Sequence, residues 1–498
     1  MQETTLSPQA AGRPARGEGR ELDRSLVQGL AWTGGARGVG QLLSWASTIV
    51  IARVLTPGDY GLVGMATVYL GLVQMLNEFG LSAAIVQRRD LTRSQVERLG
   101  GLALLLSALF FLASAILAYP LALFFHEPVV RWILTALSST FLMVALQAVP
   151  RSILSRELQF RRLAWLDAVE ALAMTAATLV FALSGFRYWA LVLGVISGKL
   201  ASTIVALAWR PPRLAWPIPL TSIAGEVTFG WHMVVSRLAW YVYSNADFAI
   251  VGRVLGKAAL GSYTIAWTIA SIPVDRLTAL LGNVTPSVFA AVQYDAAALR
   301  RYVRGLTEGI SLLSFPACAG LALVADDFVH LALGDGWQRA VLPLRLLAIA
   351  AALRSLTPLC AQVIVATGCS RRNMQFAALA ALCLPALFYV ATRWGVAGVA
   401  VAWVVGHPMV AGPFLVRYAC RIIEMPYASY LKALWPAASA TAIMALVVLG
   451  FRAGVAGHWA PAPRLAAEIL LGMAAYAAVV LPAYGSRVRA TFKLLREP

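Results

Sequence analysis

The chain has 498 residues, of which 60% are hydrophobic and only 13% are charged, and its mean hydropathy is +0.73. Because soluble domains carry about a quarter charged residues, this composition excludes an ordinary soluble globular protein. The net charge of +18 would favour a nucleic-acid partner in a soluble chain, but here the basic residues lie in short segments between apolar blocks. They predict membrane topology and contacts with anionic lipids, and no nucleic-acid partner.

The chain begins with a Gly-, Ala- and Arg-rich segment, residues 1–24, which is predicted to be a disordered cytoplasmic tail without a signal peptide. Apolar blocks then follow, long enough to cross ~30 Å of hydrocarbon. Fourteen spans are predicted at about 26–52, 60–86, 99–122, 128–150, 163–184, 187–209, 222–253, 258–285, 303–325, 340–366, 373–392, 395–416, 430–451 and 464–484. The predicted fold class is an all-α polytopic membrane protein.

A proline-rich segment separates the first six spans from the next six, and two extra spans follow these. It carries Arg-Pro-Pro-Arg at 210–213 and two further prolines, which predicts a stiff cytoplasmic linker. The predicted organisation is therefore the tail, an N-terminal lobe at 25–210, the linker at 211–221, a C-terminal lobe at 222–418, two extra helices at 429–485 and a basic cytoplasmic tail at 486–498.

The two lobes share a sequence repeat at a spacing of 200 residues. Between 37–61 and 237–261, seven of 25 positions are identical, which is more than apolar composition alone would give. The shared features are one arginine inside an apolar run, an Arg-Val-Leu sequence and a closing glycine: Arg37 and Arg237, Arg53 to Leu55 and Arg253 to Leu255, Gly61 and Gly261. Two copies of one bundle, related by a pseudo-twofold axis, are typical of membrane transporters.

The distribution of Lys and Arg supports an even number of spans. With the N-terminus inside, 26 of these residues lie in inner segments and nine in outer loops, and the bias alternates along the chain. Both termini are therefore predicted to be cytoplasmic.

Six basic residues remain within the predicted spans: Arg37, Lys199, Arg237, Arg276, Arg345 and Arg354. A charge near the bilayer centre costs about 2.5–3.5 kcal/mol on insertion scales, so each one needs a compensating role. Arg37 lies on one polar stripe with Gln41, and Arg237 lies on a matching stripe with Tyr241 and Asn245.

The hypothesis for these stripes is that they face one another across a central cavity, where the arginines bind an anionic group. The alternative is an interhelical ion pair with Glu78 or Asp247 that locks the bundle. Arg354, in the middle of the tenth span, is the next candidate, followed by Lys199 and Arg276.

Further polar residues line the same predicted cavity, and Glu78 is either a counter-ion or a protonatable coupling site. The cavity and coupling candidates are Gln41, Gln74, Asn77, Glu78, Tyr241, Asn245, Asp247 and Asp275. The five histidines lack metal-ligand spacing and there is no Walker motif, so neither a metal site nor a cofactor is predicted. Coupling to Na⁺ or H⁺ stays open.

Several segments resemble the polysaccharide transporters of the multidrug/oligosaccharidyl-lipid/polysaccharide exporter superfamily. The likeness lies in Ile51–Gly61, Asn77–Ser82, Ala84–Arg88, Leu158–Arg161 and Gly252–Leu255. This resemblance implies a V-shaped bundle of two six-helix lobes plus two extra helices, which in relatives form a groove for a polyprenyl tail.

The resemblance also implies a flippase, not an enzyme. It would move an undecaprenyl-diphosphate-linked oligosaccharide, such as an O-antigen, exopolysaccharide or capsule repeat unit, to the outer face of the bacterial inner membrane by alternating access. Cavity arginines are thought to hold the diphosphate in such proteins, a role that fits Arg37, Arg237 and Arg354, with Lys199 and Arg276 as further candidates. The implied partners are the lipid-linked oligosaccharide, membrane lipids and the polysaccharide polymerase machinery.

Three alternatives stay open. A lipid II flippase and a cation-coupled drug antiporter belong to the same superfamily, although the basic excess within the spans counts against export of cationic drugs. A polyprenyl-sugar-using glycosyltransferase or ligase is less favoured, because such enzymes carry acidic or histidine-bearing outer loops. The only acidic cluster predicted outside is Asp326, Asp327 and Asp335.

Overall fold

The structure, a computed structural model, describes residues 49–77, 93–157, 159–211, 224–454 and 459–496. Within these ranges the side chains are described except at 77, 93–94, 224–237, 276, 279–284, 287 and 486–496. Every regular element of the described residues is a helix, in agreement with the predicted all-α fold class.

The helices follow the predicted spans to within several residues at most ends. The N-terminal lobe contains the helical end 49–54 of the first predicted span, then α1 Pro57–Asn77, α2 Arg93–Phe125, α3 Val129–Ser138, α4 Thr140–Arg156, α5 Phe160–Leu183 and α6 Tyr188–Trp209. The C-terminal lobe contains α7 Ala224–Leu255, α8 Lys257–Ala291, α9 Ala296–Phe328, α10 Val341–Arg354, α11 Thr357–Ala366, α12 Ser370–Ala391, α13 Gly395–Ala411 and α14 Arg417–Ile422. The extra helices are α15 Tyr427–Gly454 and α16 Pro461–Arg496.

Hydropathy accounts for the spanning helices. Ten helical stretches of the described residues are long and apolar enough to cross a membrane, and one of them, Ser370–Ile422, contains two of the predicted spans. Helices α7 and α8 have 32 and 35 residues and also exceed the length that a bilayer requires. These elements correspond to the second through fourteenth predicted spans. The total of fourteen stays a prediction, because most of the first span lies outside the described residues.

Local sequence signals set the helix ends. At the start of α1, the Asp59 carboxylate accepts hydrogen bonds from the Thr56 N–H at 3.0 Å and the Thr56 hydroxyl at 2.6 Å. Together with Pro57 at the first helical position, this is a capping-box start. Between α7 and α8 a single residue, Gly256, makes the turn with φ +84°, a conformation that glycine adopts without steric cost.

The two lobes meet along α1, which packs against α7 and α8. In the N-terminal lobe α5 lies along α6, while in the C-terminal lobe α7 packs on α12 and α10 packs on α13. Helices α15 and α16 pack together and against α9, on the outside of the C-terminal lobe. One large cluster of buried apolar residues runs from α1 through the C-terminal lobe and joins the lobes.

The closest approach of the lobes reflects the 200-residue repeat. A Cβ added at Gly61 would overlap the Lys257 carbonyl oxygen, and a Cβ added at Gly261 would overlap the Pro57 carbonyl oxygen. These contacts are reciprocal at the spacing of the repeat, so the pseudo-twofold axis passes between the first turns of α1 and α8. Glycine at both positions lets the two backbones touch.

Ion pairs show which segments share an end of the bundle. Segments predicted outside are joined by the pairs Lys257–Glu127, at 2.9 Å, and Arg187–Asp59, at 3.5 Å. Segments predicted inside are joined by the pairs Arg210–Glu157, at 2.7 Å, and Arg300–Glu424, at 3.5 Å. We call these the predicted outer end and the predicted inner end.

Candidate functional site

A helix break inside the tenth span positions Arg354. Helix α10 ends at Arg354 and α11 begins at Thr357 with Pro358 in its first turn. The stretch Asp335–Ala366 is long and apolar enough to cross a membrane once, and the break lies in its middle part. Arg354 lies in the middle part of this stretch, as predicted, and the helix break there was not predicted; Pro358 lacks the N–H that would bond to the Arg354 carbonyl. Such breaks are typical of substrate and ion sites in transporters.

Two tryptophans enclose the guanidinium of Arg354. Its Cζ atom lies 4.3 Å from the ring centroid of Trp267 and 4.7 Å from that of Trp403. The two indole rings are themselves 5.3 Å apart, so they form one aromatic surface around the cation. Cation–π contacts of this kind are worth about 0.5–2 kcal/mol, more when water is excluded. The two rings therefore contact the guanidinium from adjoining directions.

A buried carboxylate balances this cation. Asp247 is 0% exposed, and its Oδ2 accepts hydrogen bonds from the Tyr263 hydroxyl at 2.5 Å and the Trp403 indole N–H at 2.7 Å. Its Oδ1 accepts no hydrogen bond from any described residue. The charges of Asp247 and Asp275 both act on Arg354. The C-terminal lobe thus contains an arginine in contact with two indoles, and two carboxylates whose charges act on it.

Sequence reasoning found the charged members of this cluster and missed its aromatic members. Trp403 also contacts His407, at a centroid distance of 5.8 Å. Tyr263 and Trp267 are one helical turn apart, as are Trp403 and His407. Two polar-tipped aromatic residues four positions apart in the middle of an apolar span were the sequence feature that could have predicted these aromatic members.

Lys199 belongs to a separate charged cluster in the N-terminal lobe. Its Nζ lies 2.5 Å from Oε1 of Glu170. The other oxygen of this carboxylate, Oε2, lies 3.4 Å from Nη2 of Arg151. The buried Gln147 amide donates to the hydroxyls of Ser202 and Thr203 on α6. This network ties α4, α5 and α6 together and gives Lys199 a carboxylate partner, so its role as a diphosphate ligand stays a prediction.

The predicted polar stripe of α7 serves the lobe interface. The Tyr241 hydroxyl donates to the Val68 carbonyl of α1 at 2.6 Å, and the Asn245 amide donates to the Tyr241 carbonyl at 3.0 Å. Gln74 on α1 and Asp275 on α8 are exposed.

The remaining predicted site residues fall where the structure describes less. Arg37, Gln41 and Glu78 lie outside the described residues. Asn77, Arg237 and Arg276 lie on α1, α7 and α8, with only their backbone described. Their assigned roles, and the alternative ion pairs of Arg37 and Arg237, stay predictions.

An apolar groove adjoins this site. It has a volume of about 1060 Å³ and lies between α8, α9, α15 and α16. Leu312, Pro316, Ile469 and Met473 are among its apolar walls, and Asp275 lines it as well. Because the charge of Asp275 acts on Arg354, the groove and the arginine site share a residue.

The predicted outer end is closed by contacts between the lobes. Arg53 donates to the carbonyls of Ala332, at 2.8 Å, and Leu331, while its repeat mate Arg253 contacts His126. We call these two arginines the outer latch. Each projects from the end of the first helix of its own lobe to the opposite lobe, so the closure follows the pseudo-twofold repeat.

Comparisons with known proteins agree with this architecture. A family model described as "Polysaccharide biosynthesis protein" matches residues 50–342. The chain is 25% identical to the lipopolysaccharide biosynthesis protein WzxC of Escherichia coli K12, over 67% of this chain and 68% of that protein. It is 25% identical to the teichuronic acid biosynthesis protein TuaB of Bacillus subtilis 168, over 93% and 96%. The solved structure of the lipid II flippase MurJ in an inward closed conformation matches with a TM-score of 0.75 and 13% identity, covering 92% of this chain and all of that one, which shows a shared fold.

Proposed function

The chain belongs to the family of polysaccharide biosynthesis proteins, and we propose that it is a flippase for an undecaprenyl-diphosphate-linked oligosaccharide. The cargo class is an O-antigen, exopolysaccharide or capsule repeat unit. The protein works as a transporter and moves this lipid from the cytoplasmic to the outer face of the bacterial inner membrane. The observation that carries the proposal is the guanidinium of Arg354, which lies against Trp267 and Trp403 at a helix break inside the apolar stretch Asp335–Ala366.

The chemistry of this site suits a diphosphate. A guanidinium can bind two phosphate oxygens at once through parallel N–H bonds, whereas a lysine offers only a point charge. Contact with the two indoles restricts the movement of the guanidinium, so less conformational entropy is lost when the anion binds. Asp247 and Asp275 balance the cation before binding. Arg37, Arg237 and Arg276 are the further candidates for diphosphate contacts.

The groove and the latch supply the rest of the transport path. The polyprenyl tail lies in the apolar groove, which reaches Asp275 and therefore places the head group next to Arg354. With the latch at Arg53 and Arg253 closed, the substrate enters from the cytoplasmic side. Opening the latch while the inner ends approach one another then delivers the head group outside, where the polymerase machinery takes it up.

Two driving forces are compatible with this site. An inside-negative potential favours outward movement of an anion by ~2.3 kcal/mol per charge per 100 mV. A proton or Na⁺ gradient could also act through Asp247, because its Oδ1 is buried and accepts no hydrogen bond from the described residues.

Reconstitution tests the proposal directly. The full chain is placed in liposomes with an undecaprenyl-diphosphate-linked sugar, and the sugar that reaches the opposite leaflet is measured with an impermeant reagent. We expect flipping by the wild type, loss of flipping in Arg354→Gln, and separate dependences on potential, pH gradient and Na⁺. Flipping of lipid II alone would favour the first alternative, and absence of any lipid flipping would refute the proposal.

A cellular test separates a flippase from a ligase. Cells that lack the protein should accumulate the lipid-linked repeat unit on the cytoplasmic face, where an impermeant glycosidase cannot reach it. Accumulation on the outer face would instead indicate a ligase or polymerase.

A further inference from the structure

A basic pocket lies at the predicted inner end of the C-terminal lobe, apart from the Arg354 site. It has a volume of about 550 Å³, between the start of α12 and the segment that leads into α14. Three arginines line it: Arg372, Arg417 and Arg421. We propose that this pocket binds the phosphate-bearing head group of a lipid in the cytoplasmic leaflet.

The backbone directs the three arginines into one space. Arg417 and Arg421 are one turn apart on α14, so they project from the same face of that helix. A π-helical segment, Gly412–Val416, precedes them and changes the helical phase before α14 begins. Arg372 comes from the first turn of α12, where its Nη1 donates to Oε1 of Gln375 at 3.1 Å and its Cζ lies 5.5 Å from the Tyr418 ring.

The pocket holds more positive charge than its neighbours neutralise. From Ser370 to Trp435 the only acidic residue of the sequence is Glu424. The carboxylate of Glu424 is 76% exposed and lies 3.5 Å from Arg300, so it is directed to another arginine. Three cations in one pocket without a carboxylate repel one another, and a bound phosphate would relieve that repulsion through charge-assisted hydrogen bonds.

The apolar part of the pocket distinguishes a lipid from a soluble anion. Phe376, Leu379, Pro413 and Phe414 line it beside the arginines, and Phe414 is 56% exposed. Charged and exposed apolar side chains meet in this way at the level of lipid head groups. A ligand that joins a phosphate to hydrocarbon matches both surfaces at once.

This chemistry has two natural sources in the cytoplasmic leaflet. One is the diphosphate of a polyprenyl-linked substrate, held at the membrane surface before it enters the cavity. The other is the phosphate of a bulk anionic phospholipid. The binding inference does not depend on the proposed transport, because it concerns a pocket that Arg354 does not line.

Native mass spectrometry of the purified full chain tests the inference. Phosphatidylglycerol, undecaprenyl diphosphate, neutral phosphatidylethanolamine and inorganic diphosphate are added separately. In Arg417→Gln/Arg421→Gln, we expect affinity for the phosphate lipid that binds the wild type to fall about ten-fold or more, since two charge-assisted contacts are lost. Arg417→Lys/Arg421→Lys should retain more binding than the glutamine pair, because it keeps the charge.

The matched control is Arg301→Gln/Arg304→Gln, which removes the same charge from exposed positions at the same end outside the pocket. Its phosphate-lipid binding should stay at the wild-type level. Selective binding of undecaprenyl diphosphate assigns the pocket to the substrate, and equal binding of phosphatidylglycerol assigns it to bulk lipid. Equal losses in both glutamine pairs, or binding of inorganic diphosphate alone, would overturn the inference. Because the readout is binding, absence of flipping in a separate assay would not change these outcomes.

Discussion

At the scale of single residues, Arg354 shows why an arginine suits a mid-membrane anion site. The charges of Asp247 and Asp275 act on it, and Trp267 and Trp403 form an adjoining aromatic surface against it. A lysine would keep the charge but would lose the stacking and the two parallel donor edges. The surrounding residues therefore hold a guanidinium inside the protein, beside two indoles and within reach of the charges of two carboxylates.

The pair of Arg354 and Asp247 predicts a separation of stability from transport. Arg354→Gln should destabilise the fold by up to about 3 kcal/mol, because the buried Asp247 carboxylate loses a positive charge that acts on it. The double variant Asp247→Asn/Arg354→Gln removes both charges and should recover most of the thermal unfolding temperature. The double variant should not recover flipping, because it still lacks the arginine that binds the phosphate.

The measurements are the unfolding temperature in detergent and the liposome flipping rate. Arg345→Gln is the control, since it lies nine residues earlier on α10 and is absent from the cluster. Recovery of flipping in the double variant would show that Arg354 serves packing only.

At the scale of elements, the extra helices are attached to the C-terminal lobe by one buried carboxylate. Asp327 at the end of α9 contacts Arg452 of α15, at 3.2 Å, and Arg464 of α16. Arg452 also donates to the Leu323 carbonyl at 3.1 Å. These bonds fix the predicted outer end of the wall that closes the groove.

Asp327→Asn should therefore loosen α15 and α16 without unfolding the lobes. The change weakens two charge-assisted contacts, each worth about 1.5–3 kcal/mol. We expect amide hydrogen exchange at the start of α16 to become about ten-fold faster or more. The neighbouring exposed Asp326, as Asp326→Asn, is the matched control and should exchange at the wild-type rate. Equal protection in both variants would contradict an anchoring role for Asp327.

The groove predicts a dependence on the length of the lipid tail. Gly320 lines the groove and a Cβ added there would meet no atom within 4 Å, so the side chain of Gly320→Phe begins in open space and should occupy part of the groove. This variant should raise the apparent KM for a long polyprenyl substrate several-fold and leave a short-chain analogue less affected. Gly450→Phe is the control, because Gly450 also has no atom within 4 Å but does not line the groove. If Gly320→Phe changed the KM by the same factor for the long and the short substrate, the groove would be excluded as the tail site.

The sequence was most informative about elements and least informative about the site. Apolar blocks and turn signals predicted the second through fourteenth spans, which α1 to α16 form, because hydropathy and length act locally along the chain. The break at Arg354 was missed even though Pro358 marks it, since prolines within α2, α8 and α9 leave those helices unbroken. The tryptophan pair around Arg354 joins residues more than 130 positions apart in sequence, and no local pattern encodes that contact.

At the scale of the whole molecule, the repeat found in the sequence is also the place where the lobes touch. Arg53 and Arg253 each reach the opposite lobe, and Gly61 and Gly261 each admit the backbone of the opposite lobe. A motion that separates the lobes at this end breaks both halves of the closure together. In the proposed alternating access, the closed contact at the outer end is therefore formed at two related positions. One contains Arg53 and Gly61, and the other contains Arg253 and Gly261.

This symmetry predicts that Gly61→Ala and Gly261→Ala have the same effect. Each added methyl group would overlap a carbonyl oxygen of the opposite lobe, and overpacking of this kind costs about 1–3 kcal/mol. The closed state at the predicted outer end should lose population relative to the open state by about five- to a hundred-fold. The control is Gly58→Ala on the same helix, where the nearest atoms are 3.7 and 4.0 Å away and leave room for a methyl group.

Spin labels at the exposed residues Val54 and Val254 would report the distance between the two lobes at the predicted outer end by pulsed electron paramagnetic resonance. The long-distance population should increase in Gly61→Ala and in Gly261→Ala, and should match the wild type in Gly58→Ala. A change in only one of the two alanine variants would mean that the lobes do not share the closure equally. The pseudo-twofold axis would then describe the sequence repeat without describing how the molecule opens, because a contact shared by two equivalent positions must respond alike to the same change at either one.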